Sequence, residues 1–99
     1  MQSFTLFLLP FAALLTLVAG NACVIGGPAG DVTDASKCCS RIAGNNKFFS
    51  GSPNQGICVL PAAAQNTYEA CVKYFTDDTY DFRCITCDET TNCGLEPTS

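Results

Sequence analysis

All eight cysteines of this 99-residue chain lie after residue 22. Ahead of them runs an apolar stretch from Phe4 to Val18, broken only by Thr5, Pro10 and Thr16. Its length suits the hydrophobic region of a secretory signal peptide and falls short of a membrane span. No Lys or Arg precedes that stretch, so the amino terminus alone supplies its positive charge. Val18 and Gly20 fit the small-residue rule for cleavage after Gly20, the preferred site, and Gly20 with Ala22 fit cleavage after Ala22. Residues 1–20 are thus expected to be a signal peptide, and residues 21–99 one disulfide-rich domain with a loose tail from about residue 88.

A mature chain of about 79 residues buries too little apolar surface to be safely stable unaided. Disulfides are the usual remedy in an oxidising compartment, each contributing about 2–4 kcal/mol. The even count predicts four bridges among Cys23, Cys38, Cys39, Cys58, Cys71, Cys84, Cys87 and Cys93, and an extracellular location. Without a single histidine, metal binding is not expected, and no cofactor motif is present.

Nine acidic side chains stand against five basic ones. Lys37, Arg41, Lys47, Lys73 and Arg83 are scattered, which argues against nucleic acid and against anionic lipid. No dibasic pair marks a propeptide site, and no Asn-X-Ser/Thr sequon occurs.

Ala22-Cys23-Val24-Ile25 within 21–27 is β-prone and stops at Gly26-Gly27-Pro28, a first strand. N-cap candidates follow at 31–34, with Val32, Ala35, Cys39 and Ile42 at helical spacing behind them and Gly44-Asn45 as the stop. Residues 47–50 carry Phe48-Phe49 as a second strand. A turn at 51–56 leads to a third strand at 57–60, a hairpin with a six-residue loop. Pro61 fits the first position of a second helix over 62–75, whose stripe is Tyr68, Cys71, Val72 and Phe75. Asp77-Asp78 closes it, and 80–87 is a last strand. The expected fold is α+β, a two-layer split β-α-β-β-α-β sandwich of ferredoxin-like type.

Cys38 and Cys39 point about 100° apart on a helix, so each should reach a different element, with Cys39 on the core stripe. Phe82 and Cys84 share one face of the last strand, Ile85 and Cys87 the other. Cys84 is a candidate to join a helix, whereas Cys87 suits Cys93 or Cys23. Cys84-Ile85-Thr86-Cys87 has the C-x-x-C form, but it lies in a strand ahead of Asp88-Glu89. Redox pairs of that form sit at helix N-termini, so the spacing is structural.

The lack of histidine removes Ser-His and Cys-His nucleophiles. Asp77-Asp78 and Asp88-Glu89 are paired acids in polar turns, expected to be solvated. The glycine-rich run 26–30 matches neither a P-loop nor a dinucleotide fingerprint. An enzyme is therefore not expected, and surface is what remains. One of Phe48 and Phe49 should point away from the helices. With Ile85 and Val24 or Ile25 it forms an apolar patch, unless a loop, the tail or a dimer partner covers it. Ser52, Asn54 and Gln55 in the 51–56 loop are the other candidate contacts.

The signal peptide, Ala22-Cys23, Cys38-Cys39, Cys58-Val59-Leu60-Pro61 before a helix, Cys71-Val72 and Cys84 together resemble fungal small secreted cysteine-rich proteins, the class that supplies effectors. The element order looks like that of a virus-encoded fungal killer toxin, although that toxin's precursor has dibasic sites and this chain has none. Hydrophobins also carry eight cysteines, but their second adjacent pair has no counterpart here. The resemblance implies a non-enzymatic effector that binds a host protein or glycan outside the cell. A killer-type toxin, the reading in which membrane contact is expected, and a protease inhibitor using the 51–56 loop are the alternatives.

Overall fold

A computed structural model describes residues 19–76 and 80–95. The signal-peptide stretch up to residue 18 and the Asp77-Asp78 pair lie outside the described residues. The elements run β1 (Ala19–Gly26), α1 (Ala29–Ala43), β2 (Phe48–Ser52), β3 (Gln55–Pro61), α2 (Gln65–Phe75) and β4 (Asp81–Asp88). A 3-10 turn at Ala62–Ala64 leads into α2, and a 3-10 segment at Glu89–Gly94 follows β4. The four strands form one antiparallel sheet in the order β2-β3-β1-β4. The domain is therefore a small α+β unit with four disulfides.

Register explains how the core is built. Cys23 stands directly across from Cys58 on one side and Cys84 on the other, and Phe48 pairs with Cys58. Directly paired residues share a sheet face, so Cys84, Cys23, Cys58 and Phe48 make one row beneath the helices. Ile25 and Leu60 belong to that face and are fully buried against Ala35, Cys39, Tyr68 and Val72. Gly56 lies where a side chain would strike the Phe48 ring, since a Cβ there would stand 2.1 Å from Phe48 Cζ. Bare backbone at 56 is what lets that ring lie flat. Asn21, also on this face, donates from its amide to Gln65 Oε1 at the start of α2.

Helix α1 starts earlier than its Asp and Thr residues indicate. Pro28 is the N-cap, and its carbonyl accepts from the Asp31 and Val32 amides at 3.0 and 3.2 Å. Asp31 falls inside the first turn, where a carboxylate favours the helix dipole. The helix ends at Gly44, whose φ of 104° lies in the left-handed region that suits glycine. Pro61 closes β3 instead of opening α2, because the backbone stays extended to that residue and coils first as a 3-10 turn. The hairpin is tighter than a six-residue loop. Ser52 pairs with Gln55, leaving Pro53 and Asn54 as the turn.

The bridges divide the labour. Cys39 on the core stripe reaches Cys58 in β3, and its neighbour Cys38 reaches Cys71 in α2. Cys84 joins Cys23 in β1, not a helix, because the register sets the two directly opposite. Cys87 joins Cys93. The C-x-x-C spacing thus holds no bridge of its own, and no cysteine is free. Four bridges in so small a domain are typical of extracellular proteins.

Candidate functional site

The outer face of the sheet carries two parallel rows. Ile85, Ala22 and Val59 form one, while Arg83, Val24, Ile57 and Phe49 form the other. In the first row Val59 and Ala22 are buried although no helix among the described residues lies on that side. Their cover is the 3-10 segment Glu89–Gly94, which packs on β1 and β3 and acts as a strap. Cys87–Cys93 staples the strap to β4, and Lys47 Nζ donates to Asn92 Oδ1 at 2.9 Å from the opposite edge. Gly20 lies beneath it, where a Cβ would stand 2.6 Å from Glu89 Cβ. Asn92 and Cys93 take φ of 53° and 56°, so the strap turns sharply at its bridge. The chain after residue 88 therefore begins as a folded element.

The six residues expected to form a binding surface separate into three places. Phe48 faces the helices and packs at the edge of the core. Phe49 is half-buried on the outer face, and Ile85 is 60% exposed there, but they stand on opposite edge strands. Ser52, Asn54 and Gln55 sit at the hairpin tip. Asn54 is engaged within the molecule: its amide donates to the Gly27 carbonyl at 2.9 Å, and its own carbonyl accepts from Gly27 N–H at 2.9 Å. Ser50 Oγ adds a bond to the Gln55 carbonyl at 2.7 Å. The tip is thereby tied to the loop between β1 and α1.

Three concavities mark the described surface. The first, about 410 Å³, lies at the outer-face end of β1 and β4 and includes Val24, Gln55, Asp81 and Arg83. The second, about 270 Å³, lies between the start of α1 and the hairpin, with Phe48 and Pro53 on its wall. The third, about 260 Å³, runs between α1 and α2 and is lined by Asp34, Lys37, Cys38, Arg41 and Phe75.

The last of these was not legible as a site. Helical spacing places Phe75 on the core stripe, yet it is 48% exposed, and its neighbour Tyr74 is 81% exposed. The two rings meet edge to face at 4.8 Å between centroids. Val72 and Tyr68, one and two turns earlier, are fully buried. The stripe therefore leaves the core before the helix ends. The available signal was the spacing Asp34, Lys37, Arg41, which sets three charges on one flank of α1.

Tyr68 is the exceptional polar group of the interior. Its hydroxyl is buried without a hydrogen-bond partner among the described residues. Burial, and secondarily the nearby Tyr80, push its ionisation well above the ordinary tyrosine range. Its ring packs on Phe82 at 6.0 Å. It is a core residue whose hydroxyl has no chemical task in the described structure.

No protein-family model matches this chain, and no curated protein or solved structure matches it either.

Proposed function

We propose that the protein is a secreted, non-enzymatic effector-like protein of fungal type that acts by binding a host or competitor target outside the cell. The observation that carries this reading is a fully bridged scaffold that leaves Tyr74, Phe75 and Ile85 on its surface. A rigid framework lowers the entropy lost on binding, and exposed aromatic side chains are the usual anchors of interfaces. The absence of histidine from the sequence supports a non-enzymatic role.

In this reading the β-α-β-β-α-β order and the β2-β3-β1-β4 sheet belong to a ferredoxin-like, killer-toxin-like sandwich. Export with cleavage after Gly20 keeps Asn21 and its bond to Gln65, whereas cleavage after Ala22 would remove both. The killer-toxin activity ranks behind binding. Tyr68 and Val72 commit α2 to the core, and Cys38–Cys71 ties it to α1, so insertion of α2 into a membrane would break the fold. Protease inhibition through the hairpin ranks lower still, because a two-residue turn tied to Gly27 offers no extended segment to a protease cleft.

The test applies the oxidised mature protein to fungal and plant cells and, tagged, to a host extract. Expected are intact cells and saturable capture of a partner that untagged oxidised protein displaces and reduced, alkylated protein does not. Dye leakage from the cells would put the toxin reading first. No saturable partner and no cellular effect would sink the binding reading.

A further inference from the structure

We infer that the groove between α1 and α2 is a binding site for an acidic glycan, a polymer of uronic-acid sugars. The inference rests on the extracellular binding role proposed above and names the ligand class for it. Its lining combines three chemistries in about 260 Å³. Lys37 and Arg41 supply two cations, Asp34 supplies a carboxylate, and Phe75 supplies an exposed ring backed by Tyr74.

The cations are open to a ligand. Among the described residues the ion pair is Lys73–Glu69 at 3.5 Å on α2, and neither Lys37 nor Arg41 forms one. Both are exposed, in a chain whose net charge is −4. Two unpaired cations one turn apart favour an anion locally against that overall charge, and an arginine fork matches a carboxylate. The floor cannot yield, because Cys38 bridges to Cys71 and locks the helices at this level.

The mixed set selects among anions. A bare phosphate or sulfate would gain from Lys37 and Arg41 but would be repelled by Asp34. A run of glutamates offers Lys37 and Arg41 its carboxylates but brings neither a ring face for Phe75 nor an array of hydroxyls for Asp34. A uronic-acid ring meets all three demands: its carboxylate faces Lys37 and Arg41, its hydroxyls donate to Asp34, and its flat C–H face lies on Phe75. The volume falls just below the range of about 300–1,000 Å³ usual for small-ligand pockets. That suits a chain presenting one ring at a time across an open groove.

The test measures binding of the oxidised full domain to polygalacturonate, to neutral dextran and to poly-glutamate, at about 50 and 300 mM salt. Expected is saturable binding to polygalacturonate, weakened by salt, competed by short galacturonate oligomers and absent for dextran. The double variant Lys37→Gln/Arg41→Gln should lose about tenfold in affinity, which corresponds to about 1.4 kcal/mol. Phe75→Leu, which keeps apolar bulk but no ring face, should weaken binding several-fold. Both variants should retain four bridges by mass. Equal binding to poly-glutamate, or undiminished uronate binding by the double variant, overturns the inference. Absence of uronate binding while a host protein is still captured also overturns it and leaves the effector reading standing.

Discussion

On its helix side the sheet is covered by α1 and α2, and three disulfides run through that layer. On its outer side the cover among the described residues is one strap of six, Glu89–Gly94, held by Cys87–Cys93. The helix side combines fully buried side chains with bridges spanning 19, 33 and 61 residues. The strap closes a span of only 6 residues and covers little beyond Ala22 and Val59. Cross-links stabilise mainly in proportion to the disorder they forbid, so the two faces differ in strength by construction. A small domain of this kind has one face built to last and another closed by a short clasp.

The largest break in that comparison is expected from Cys23→Ala with Cys84→Ala. Its 61-residue span is the longest of the four bridges. Chain entropy alone assigns it about 4 kcal/mol, much of the stability of a small domain. Chemical unfolding should show a large drop in midpoint and loss of protection across β1 and β4 together. A drop no larger than that of the strap variant would end the claim that the faces differ.

Next comes Cys87→Ala with Cys93→Ala, with an expected cost of about 2 kcal/mol for its short loop. The loss should be local. Amide exchange should rise at Ala22 and Val59 while Ile25 and Tyr68 stay protected, and a dye for apolar surface should bind better. Selective reduction should reach this bridge first, because Cys87 and Cys93 are both partly exposed. By contrast Cys23, Cys38, Cys39 and Cys58 are buried. Alkylation mapping that finds Cys38 or Cys39 labelled first would contradict this order.

The smallest effect probes how dry the helix side is. Tyr68→Phe removes a buried hydroxyl that has no protein partner, so stability near neutral pH should hold or rise by up to about 1 kcal/mol. The sign with pH follows from the raised ionisation of Tyr68. Its contribution is intact below the ordinary tyrosine pKa of about 10, and it is lost as pH rises above that value. Unfolding midpoints at pH 8 and 10.5 should fall farther for the native chain than for Tyr68→Phe. Equal slopes would mean that the hydroxyl reaches solvent.

These contrasts also locate what the sequence made legible. Alternation and helical spacing found every strand and both main helices, because Cys23, Val32, Ala35 and Val72 obey the periods their elements impose. The two directions of Cys38 and Cys39 followed from helix geometry alone. The partner of Cys84 did not, since it depends on the register of β4 against β1, which no local pattern records. The strap was illegible for a related reason. Its residues are polar, and it folds because Cys87–Cys93 and the backbone of the sheet hold it, not because it has an apolar stripe. Phe75 fits the core period, but the partner helix no longer covers it there. Periodicity marks which flank faces inward without marking how far along the helix the cover extends.

The bridge connectivity also governs what a cut in the chain can release. Three bridges, Cys23–Cys84, Cys38–Cys71 and Cys39–Cys58, span any point between residues 39 and 58. A protease that nicks the exposed hairpin at Pro53-Asn54 therefore liberates nothing, and the two pieces part only after reduction. No bridge spans the three peptide bonds of Cys84-Ile85-Thr86-Cys87. That stretch is protected instead by its strand hydrogen bonds to β1. In a milieu rich in peptidases, the lifetime of the molecule is set by how tightly β4 holds its place in the sheet.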